Sequence, residues 1–206
     1  MNKINYQKRL DALIEEVVRS GTVPTLLLHS CCAPCSSYVL KYLSDYFRIT
    51  LLYFNPNISP KEEYVKRVGE QKRLISELSV CNPVSFIEGR YEPSEFYEAV
   101  RGYENEPEGG ERCFICYELR LCEAAKYAVE GGFDYFATTL SISPLKNAAK
   151  INEIGERVGA RFGVKHLPSD FKKKEGYKQS VELSAQYCLY RQNFCGCVYS
   201  KGGDKK

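Results

Sequence analysis

Residues 25–37 read TLLLHSCCAPCSS, a short apolar run followed by three cysteines and three serines. A run of this length and composition predicts a buried β-strand over residues 25–28. Ser36 or Ser37 is expected to cap the helix that follows, because a serine oxygen accepts a hydrogen bond from a free N–H of the first turn. The stretch therefore predicts a strand whose end delivers cysteines to the beginning of a helix.

The rest of the chain repeats this alternation of strand and helix. Further strands are predicted at 49–54, 84–87, 135–138 and 164–167, and helices at 6–19, 60–78 (with Ser59 as N-cap), 93–101, 113–129, 146–161 and 176–190. Strands that alternate with helices form a parallel sheet covered by helices on both faces. We find no internal repeat and no linker. We therefore predict one α/β domain over residues 1–206, three-layered and Rossmann-like, with a mostly parallel sheet of four to five strands.

The composition is typical of a globular protein, with 44% hydrophobic and 27% charged residues. No apolar run approaches the ~20 residues that span a bilayer, and the charged N-terminus lacks the apolar stretch of a signal peptide. We therefore expect a cytoplasmic location. The net charge is only +3, but the positive excess lies after Leu140 and includes the run Lys172-Lys173-Lys174. Such a distribution favours a polyanionic partner.

The chain contains ten cysteines, which in a reducing compartment more often bind metal or do redox chemistry than form disulfides. Seven of them lie in three tight motifs, which are Cys31-Cys32-x-x-Cys35, Cys113-x-x-Cys116 and Cys195-Gly196-Cys197. The remaining three, Cys81, Cys122 and Cys188, are interpreted as small packing residues. The motifs indicate a metal or redox centre.

The predicted strands place the first cysteines at one edge of the sheet. The first strand leads directly into Cys31 and Cys32, and the fourth leads into Thr138 and Thr139. In open parallel sheets the ligand site lies beyond the carboxyl ends of the strands. We therefore expect the side chains of both segments to meet at that edge.

The residues alone leave four interpretations of the first two motifs open. Simple packing of the cysteines is disfavoured because seven of the ten lie in tight motifs. Zinc would use Cys32, Cys35, Cys113 and Cys116 in a tetrahedral thiolate site, although Cys31 is then unexplained. A thiol–disulfide oxidoreductase would use Cys32 and Cys35, since the start of a helix lowers a thiol pKa. An iron–sulfur cluster needs about four thiolates, which the vicinal pair and the second C-x-x-C supply.

Six segments in order resemble the epoxyqueuosine reductase QueH family. They are HSCCAPC (29–35), NPNISPKEEYVKR (55–67), ERCFICYELRL (111–121), FATTLSISPLKN (136–147), DFKKKEGYKQS (170–180) and LYRQNFCGCVYS (189–200). The resemblance implies a fold similar to the adenine-nucleotide alpha-hydrolase (HUP-type) group. It also implies reduction of the epoxide of epoxyqueuosine to an alkene at the tRNA wobble position, without cobalamin, to give queuosine.

The resemblance also implies cofactors and partners. A 4Fe–4S cluster would be held by four cysteines, which are Cys31, Cys32, Cys113 and Cys116. A second iron beside it would have Cys35 as a ligand, and Cys195 and Cys197 would form a redox-active disulfide. The implied partners are tRNA carrying epoxyqueuosine and an electron-donating protein or small molecule.

Substrate contacts are expected mainly from the basic half of the chain, residues 113–206. Five side chains are predicted to neutralise tRNA phosphates, namely Lys146, Lys172, Lys173, Lys174 and Arg191. Asp170 or Tyr177 is predicted to supply a proton. Two alternatives remain, a structural zinc protein that binds RNA and a thiol–disulfide oxidoreductase that uses Cys32 and Cys35.

Overall fold

A computed structural model describes residues 4–200 of the chain. Its strands are β1 (Thr25–His29), β2 (Arg48–Tyr53), β3 (Val84–Glu88), β4 (Tyr135–Thr138) and β5 (Lys165–His166). Its α-helices are α1 (Tyr6–Ser20), α2 (Ala33–Leu43), α3 (Lys61–Glu77), α4 (Pro93–Ala99), α5 (Glu111–Glu130), α6 (Ala148–Phe162) and α7 (Gly176–Gln186). Two short 3₁₀ helices lie at Thr139–Ile142, directly after β4, and at Val198–Ser200, after α7.

The five strands form one parallel sheet in the order β3-β2-β1-β4-β5. The predicted α/β class with a parallel sheet is confirmed. The strand order reverses at β1, where His29 is in register with Leu52 of β2 on one side and with Thr138 of β4 on the other. This switch point opens the crevice beyond the carboxyl ends in which such sheets bind ligands.

The core lies on both faces of the sheet because alternate strand residues point to opposite sides. In β1, Leu26 and Leu28 pack among residues of α1, α2, α3 and α7, whereas Leu27 packs against α5 and α6. All three leucines are fully buried, and each contributes about 1.5–3 kcal/mol relative to an exposed position. Among residues 4–200, we find no helix long and apolar enough to cross a membrane.

Four predicted helix starts differ from the structure. Helix α5 begins at Glu111 rather than at 113, and α6 begins at Ala148 rather than at 146; for α2 and α3 the predicted cap is wrong as well. Helix α2 begins at Ala33 with Cys32 as N-cap, and Pro34 occupies the first turn, where its fixed φ is favourable. Ser36 and Ser37 lie inside the helix and donate to carbonyls of the preceding turn. Helix α3 begins at Lys61 rather than after Ser59, because Pro60 is still extended and itself occupies the N-cap position.

Candidate metal and redox site

Three thiols lie together at the carboxyl end of β1. Cys31 and Cys32 follow the strand directly, and Cys35 lies in the first turn of α2. The three Sγ atoms lie within 4.8 Å of one another, with 3.9 Å between those of Cys31 and Cys32. The backbone before them is fixed, since the N–H of Ser30 donates to the carbonyl of Leu52 at 2.9 Å. The turn therefore presents a preformed group of metal-ligating sulfurs.

The three sulfurs share negative charge unequally. Hydrogen bonds from Cys32 and Cys35 outweigh burial and hold the pKa of the Cys31 thiol well below its ordinary value. The hydroxyl of Thr139, 3.6 Å from the Cys31 sulfur, acts in the same direction. The hydrogen bonds that Cys32 and Cys35 make to Cys31, together with burial, raise the pKa of Cys32 to about 12 and that of Cys35 well above its ordinary value. Cys31 is therefore the first of the three to become a thiolate.

The second C-x-x-C lies in the first two turns of α5 and outside this three-thiol group. The Cys113 sulfur accepts a hydrogen bond from the Gly109 N–H at 3.2 Å. Cys116 is buried against Phe96 and Cys197, and this burial raises the pKa of its thiol. The α5 pair thus has its own hydrogen-bonding and packing partners.

The third motif forms part of the same region. Cys195 lies beside Lys146, whose Nζ is 3.5 Å from the Cys195 sulfur. Arg67 donates to the Cys195 carbonyl at 3.1 Å. Gly196 has a φ of 101°, which favours glycine. Cys195 and Cys197 are free thiols in this structure, so their pairing stays a prediction.

A cavity of about 220 Å³ lies between the three-thiol group and Cys195, and neither Cys113 nor Cys116 lines it. Its wall includes Cys31, Cys32, Cys35, Cys195, Arg120 and Lys146. Burial alone would lower the pKa of Lys146, but the neighbouring Cys195 and Tyr117 side chains outweigh that effect and raise it. The cavity therefore combines sulfur ligands with a half-buried lysine and a buried arginine that keep their positive charge.

The predicted proton donors differ in position. Tyr177 lines the cavity, with its side chain partly exposed to solvent. Asp170 is ion-paired to Lys172, with 3.0 Å between Asp170 Oδ1 and Lys172 Nζ. Neither role is decided by these positions, and both stay predictions.

The predicted phosphate-binding residues fall into three groups. Lys146 lies in the cavity wall. Lys172 donates to the Ser141 carbonyl at 2.8 Å, and Lys174 is ion-paired with Asp11 at 2.6 Å. Lys173 and Arg191 have exposed side chains, and Arg191 also lines the cavity. These last two are the best placed of the five to meet a large polyanion.

Sequence reasoning missed a network of buried polar residues behind the sulfurs. Arg120 donates from Nε to the Cys116 carbonyl at 3.2 Å and from Nη1 to Asn55 Oδ1 at 3.3 Å. Asn55 in turn donates to the Ser30 carbonyl at 2.8 Å. The available signal was an arginine one helical turn after Cys116, on a face that also carries buried apolar residues.

His29, at the end of β1, is fully buried and hydrogen-bonded. Its ring nitrogens lie 2.9 Å from Thr138 Oγ1 and 3.0 Å from the Phe54 carbonyl. Burial lowers its pKa to about 4, so the ring is neutral at pH 7. We interpret it as a structural link between β1, β2 and β4.

Comparison with known proteins gives a consistent set of relatives. A model of the family described as epoxyqueuosine reductase QueH matches residues 26–202. A protein of that name from Streptococcus pyogenes serotype M1 is 46% identical over 200 residues, covering 96% of this chain and 78% of that protein. Its namesake from Staphylococcus epidermidis is 46% identical over 202 residues, covering 96% and 85%. The one from Thermotoga maritima is 35% identical over 179 residues, covering 85% and 90%.

A solved structure shares the fold. It is the U34-tRNA thiolase NcsA from Methanococcus maripaludis with its [4Fe-4S] cluster, which aligns with a TM-score of 0.51 over 96% of this chain and 73% of that one. The sequence identity is 14%, so the likeness supports the fold alone.

Proposed function

The chain belongs to the epoxyqueuosine reductase QueH family, and from this we propose that it reduces the epoxide of epoxyqueuosine in tRNA to the alkene of queuosine. The reaction consumes two electrons and two protons and releases water. The protein is then an oxidoreductase whose substrate is a modified base at the wobble position. A tRNA substrate also agrees with the cytoplasmic location expected from the sequence.

The observation that carries the proposal is the three-thiol group at the end of β1. Sulfurs within 4.8 Å of one another, opening into a cavity, suit a site where metal chemistry meets a ligand. Soft thiolate ligands select iron–sulfur clusters, zinc or copper(I). Family membership favours the first of these.

The proposed ligands of a 4Fe–4S cluster are Cys31, Cys32, Cys113 and Cys116, with Cys35 as a ligand of a second iron beside it. The donor set fits because Cys31 forms a thiolate readily, and because the buried guanidinium of Arg120 lies between the two motifs. When bound, such a cluster supplies electrons one at a time.

The protein's own groups have separate tasks in the proposed reaction. The cavity wall removes the reacting ring from water, which strengthens every electrostatic interaction inside it. Lys146 holds a positive charge beside Cys195, where it can orient a substrate oxygen. Tyr177 is the cavity residue proposed to donate a proton.

Cys195 and Cys197 are proposed to pass electrons from an external dithiol reductant. The dithiol would reduce a Cys195–Cys197 disulfide to two thiols and become a disulfide itself, so that two electrons enter for each epoxide reduced. A ring closed by two cysteines only one residue apart is expected to reduce readily.

The half of the chain from residue 113 is proposed to face the tRNA. Lys173 and Arg191 are the exposed cations best placed to contact phosphates, and such contacts make binding weaken as salt increases. The wobble base would be unstacked to enter the cavity, as enzymes that modify bases require.

The alternative functions make different predictions. A thiol–disulfide oxidoreductase needs an attacking thiolate at Cys32, but the hydrogen bond to Cys31 and burial raise the pKa of Cys32 to about 12, which disfavours that function. A structural zinc protein that binds RNA would be colourless and carry about one zinc.

The test is to purify the protein without oxygen, record its visible spectrum, and count iron, sulfide and zinc per chain. We expect a brown protein with about four sulfides and four or five irons. A colourless protein with about one zinc would contradict the proposal and favour the RNA-binding zinc protein.

A further inference from the structure

Arg120 is one of the most deeply buried side chains of the protein, with 1% of its surface exposed. It lies on α5 one turn after Cys116 and reaches the wall of the cavity. A guanidinium stays charged in proteins, and a buried charge is unfavourable unless an opposite charge compensates it. We find no carboxylate in an ion pair with Arg120 within residues 4–200.

The hydrogen bonds of Arg120 leave its charge uncompensated. Nε and Nη1 donate to neutral acceptors, the Cys116 carbonyl and the Asn55 amide oxygen. The remaining nitrogen, Nη2, is buried and has no hydrogen-bond partner among the described residues. A buried donor of this kind calls for an acceptor that occupies the site in the functional state.

The acidic side chains that surround Arg120 are cysteines. Burial would lower the pKa of Arg120, but Cys116, Cys195 and Cys31, when ionised, outweigh that effect and raise the pKa above its ordinary value. Asn55, which accepts a hydrogen bond from Arg120, donates one to the carbonyl of Ser30, the residue before Cys31. The guanidinium therefore lies between the cysteines at the end of β1 and those of α5.

Two other buried arginines, by contrast, have no buried side-chain nitrogen without a partner among the described residues. Arg67, 2% exposed and on the same cavity wall, has a carboxylate partner in Glu63 at 2.7 Å. Arg112, 3% exposed and also on α5, donates to the Glu104 carbonyl at 2.8 Å and to that of Glu106. Arg120 alone of the three has cysteines on both sides and a free donor.

We propose that Arg120 is the counter-charge of the metal centre, a positioning residue that offsets the negative charge of the cysteine-bound cluster and donates Nη2–H to it. This inference depends on one part of the proposed function, namely that the protein binds an iron–sulfur cluster. Net charge and hydrogen bonds to sulfur set the reduction potential of such clusters. A nearby cation that favours the reduced, more negative state makes the cluster easier to reduce.

The experiment compares three variants of the whole protein, purified without oxygen, by redox titration followed by electron paramagnetic resonance. Arg120→Gln should disfavour cluster reduction at least tenfold, a potential lower by about 59 mV for a one-electron couple. Arg120→Lys keeps the charge and should recover most of this shift. Arg112→Gln removes a buried guanidinium from the same helix that donates to backbone carbonyls, and it should shift the potential less than Arg120→Gln does.

An Arg120→Gln protein with the wild-type potential would overturn the proposal. If Arg120→Gln binds no cluster, the iron content of Arg120→Lys is the deciding measurement. Iron at the wild-type level in Arg120→Lys supports a role for the positive charge. The same loss of iron in both variants means that only the shape of the arginine side chain matters, and it overturns the proposal. A wild-type protein without a cluster would refute the proposed function as well, whereas a loaded wild type with an unshifted variant refutes only the role of Arg120.

Discussion

The C-x-x-C turns that open α2 and α5 have the same spacing but different surroundings. In the α2 turn, Cys32 and Cys35 contact a third thiol, Cys31, and their hydrogen bonds lower its pKa. In the α5 turn, Cys116 is packed among apolar residues, and burial raises the pKa of its thiol. The C-x-x-C spacing therefore predicts a pair of thiols at the start of a helix, but the residues packed around the pair determine which sulfur loses its proton first.

The largest expected effect comes from removing a proposed ligand from either turn. Cys31→Ser and Cys113→Ser should each lose most of the bound iron and sulfide and the visible absorbance, because each removes one of four thiolates. Cys122→Ser, a half-buried cysteine of α5 outside the motifs, is the matched control and should retain them. Full iron content in Cys113→Ser would show that the α5 turn holds no cluster.

Cys35→Ala separates the proposed role of Cys35 from that of the other two cysteines of the α2 turn. We expect the cluster absorbance to survive and turnover to be abolished, because Cys35 is proposed to hold only the second iron. The iron count should fall by about one per chain while sulfide stays constant. Loss of sulfide and absorbance in Cys35→Ala, with both retained in Cys113→Ser, would instead assign the cluster to the three-thiol group.

The third motif should affect repeated turnover more than the metal centre. Cys195→Ser and Cys197→Ser should both complete one turnover when reduced in advance, but should not turn over repeatedly with a dithiol as the only electron source. Rapid-quench measurements of product per enzyme separate the two regimes. Cys188→Ser, which changes an exposed cysteine, is the control, and repeated wild-type turnover by either variant would exclude the relay.

The smallest expected effects concern tRNA binding. Lys173→Gln and Arg191→Gln should each weaken binding a few-fold and reduce the slope of log affinity against log salt by about 1, because each removes one phosphate contact. Filter-binding titrations at several salt concentrations measure both quantities. The control is Lys165→Gln, which changes an exposed lysine of β5 in register with Tyr135, the first residue of β4. An equal loss of binding in this control would mean that Lys173 and Arg191 do not mark the tRNA-binding surface.

The fold and the edge that carries the site could be predicted because the signals are local. The apolar run of β1 leads directly into Cys31 and Cys32, and the predicted strand at 135–138 has the observed bounds of β4. The serine caps of α2 were predicted wrongly because Pro34 allows the helix to begin earlier, at Ala33.

The arrangement behind the sulfurs could not be predicted, because it depends on contacts between distant parts of the chain. Arg120 meets Asn55 across 65 positions, and no periodic pattern encodes such a contact. Lys146 belongs to a basic region that suggested phosphate binding, but the packing of the 195–197 segment places it beside Cys195.

The most direct test of the proposed reaction is to incubate the reduced, cluster-loaded protein without oxygen with tRNA that carries epoxyqueuosine, and to analyse the released nucleosides by mass spectrometry. We predict conversion of epoxyqueuosine to a nucleoside lighter by one oxygen atom, identical to queuosine, with Cys35→Ala inactive. Unchanged epoxyqueuosine in the presence of a loaded cluster and a competent reductant would contradict the assigned function.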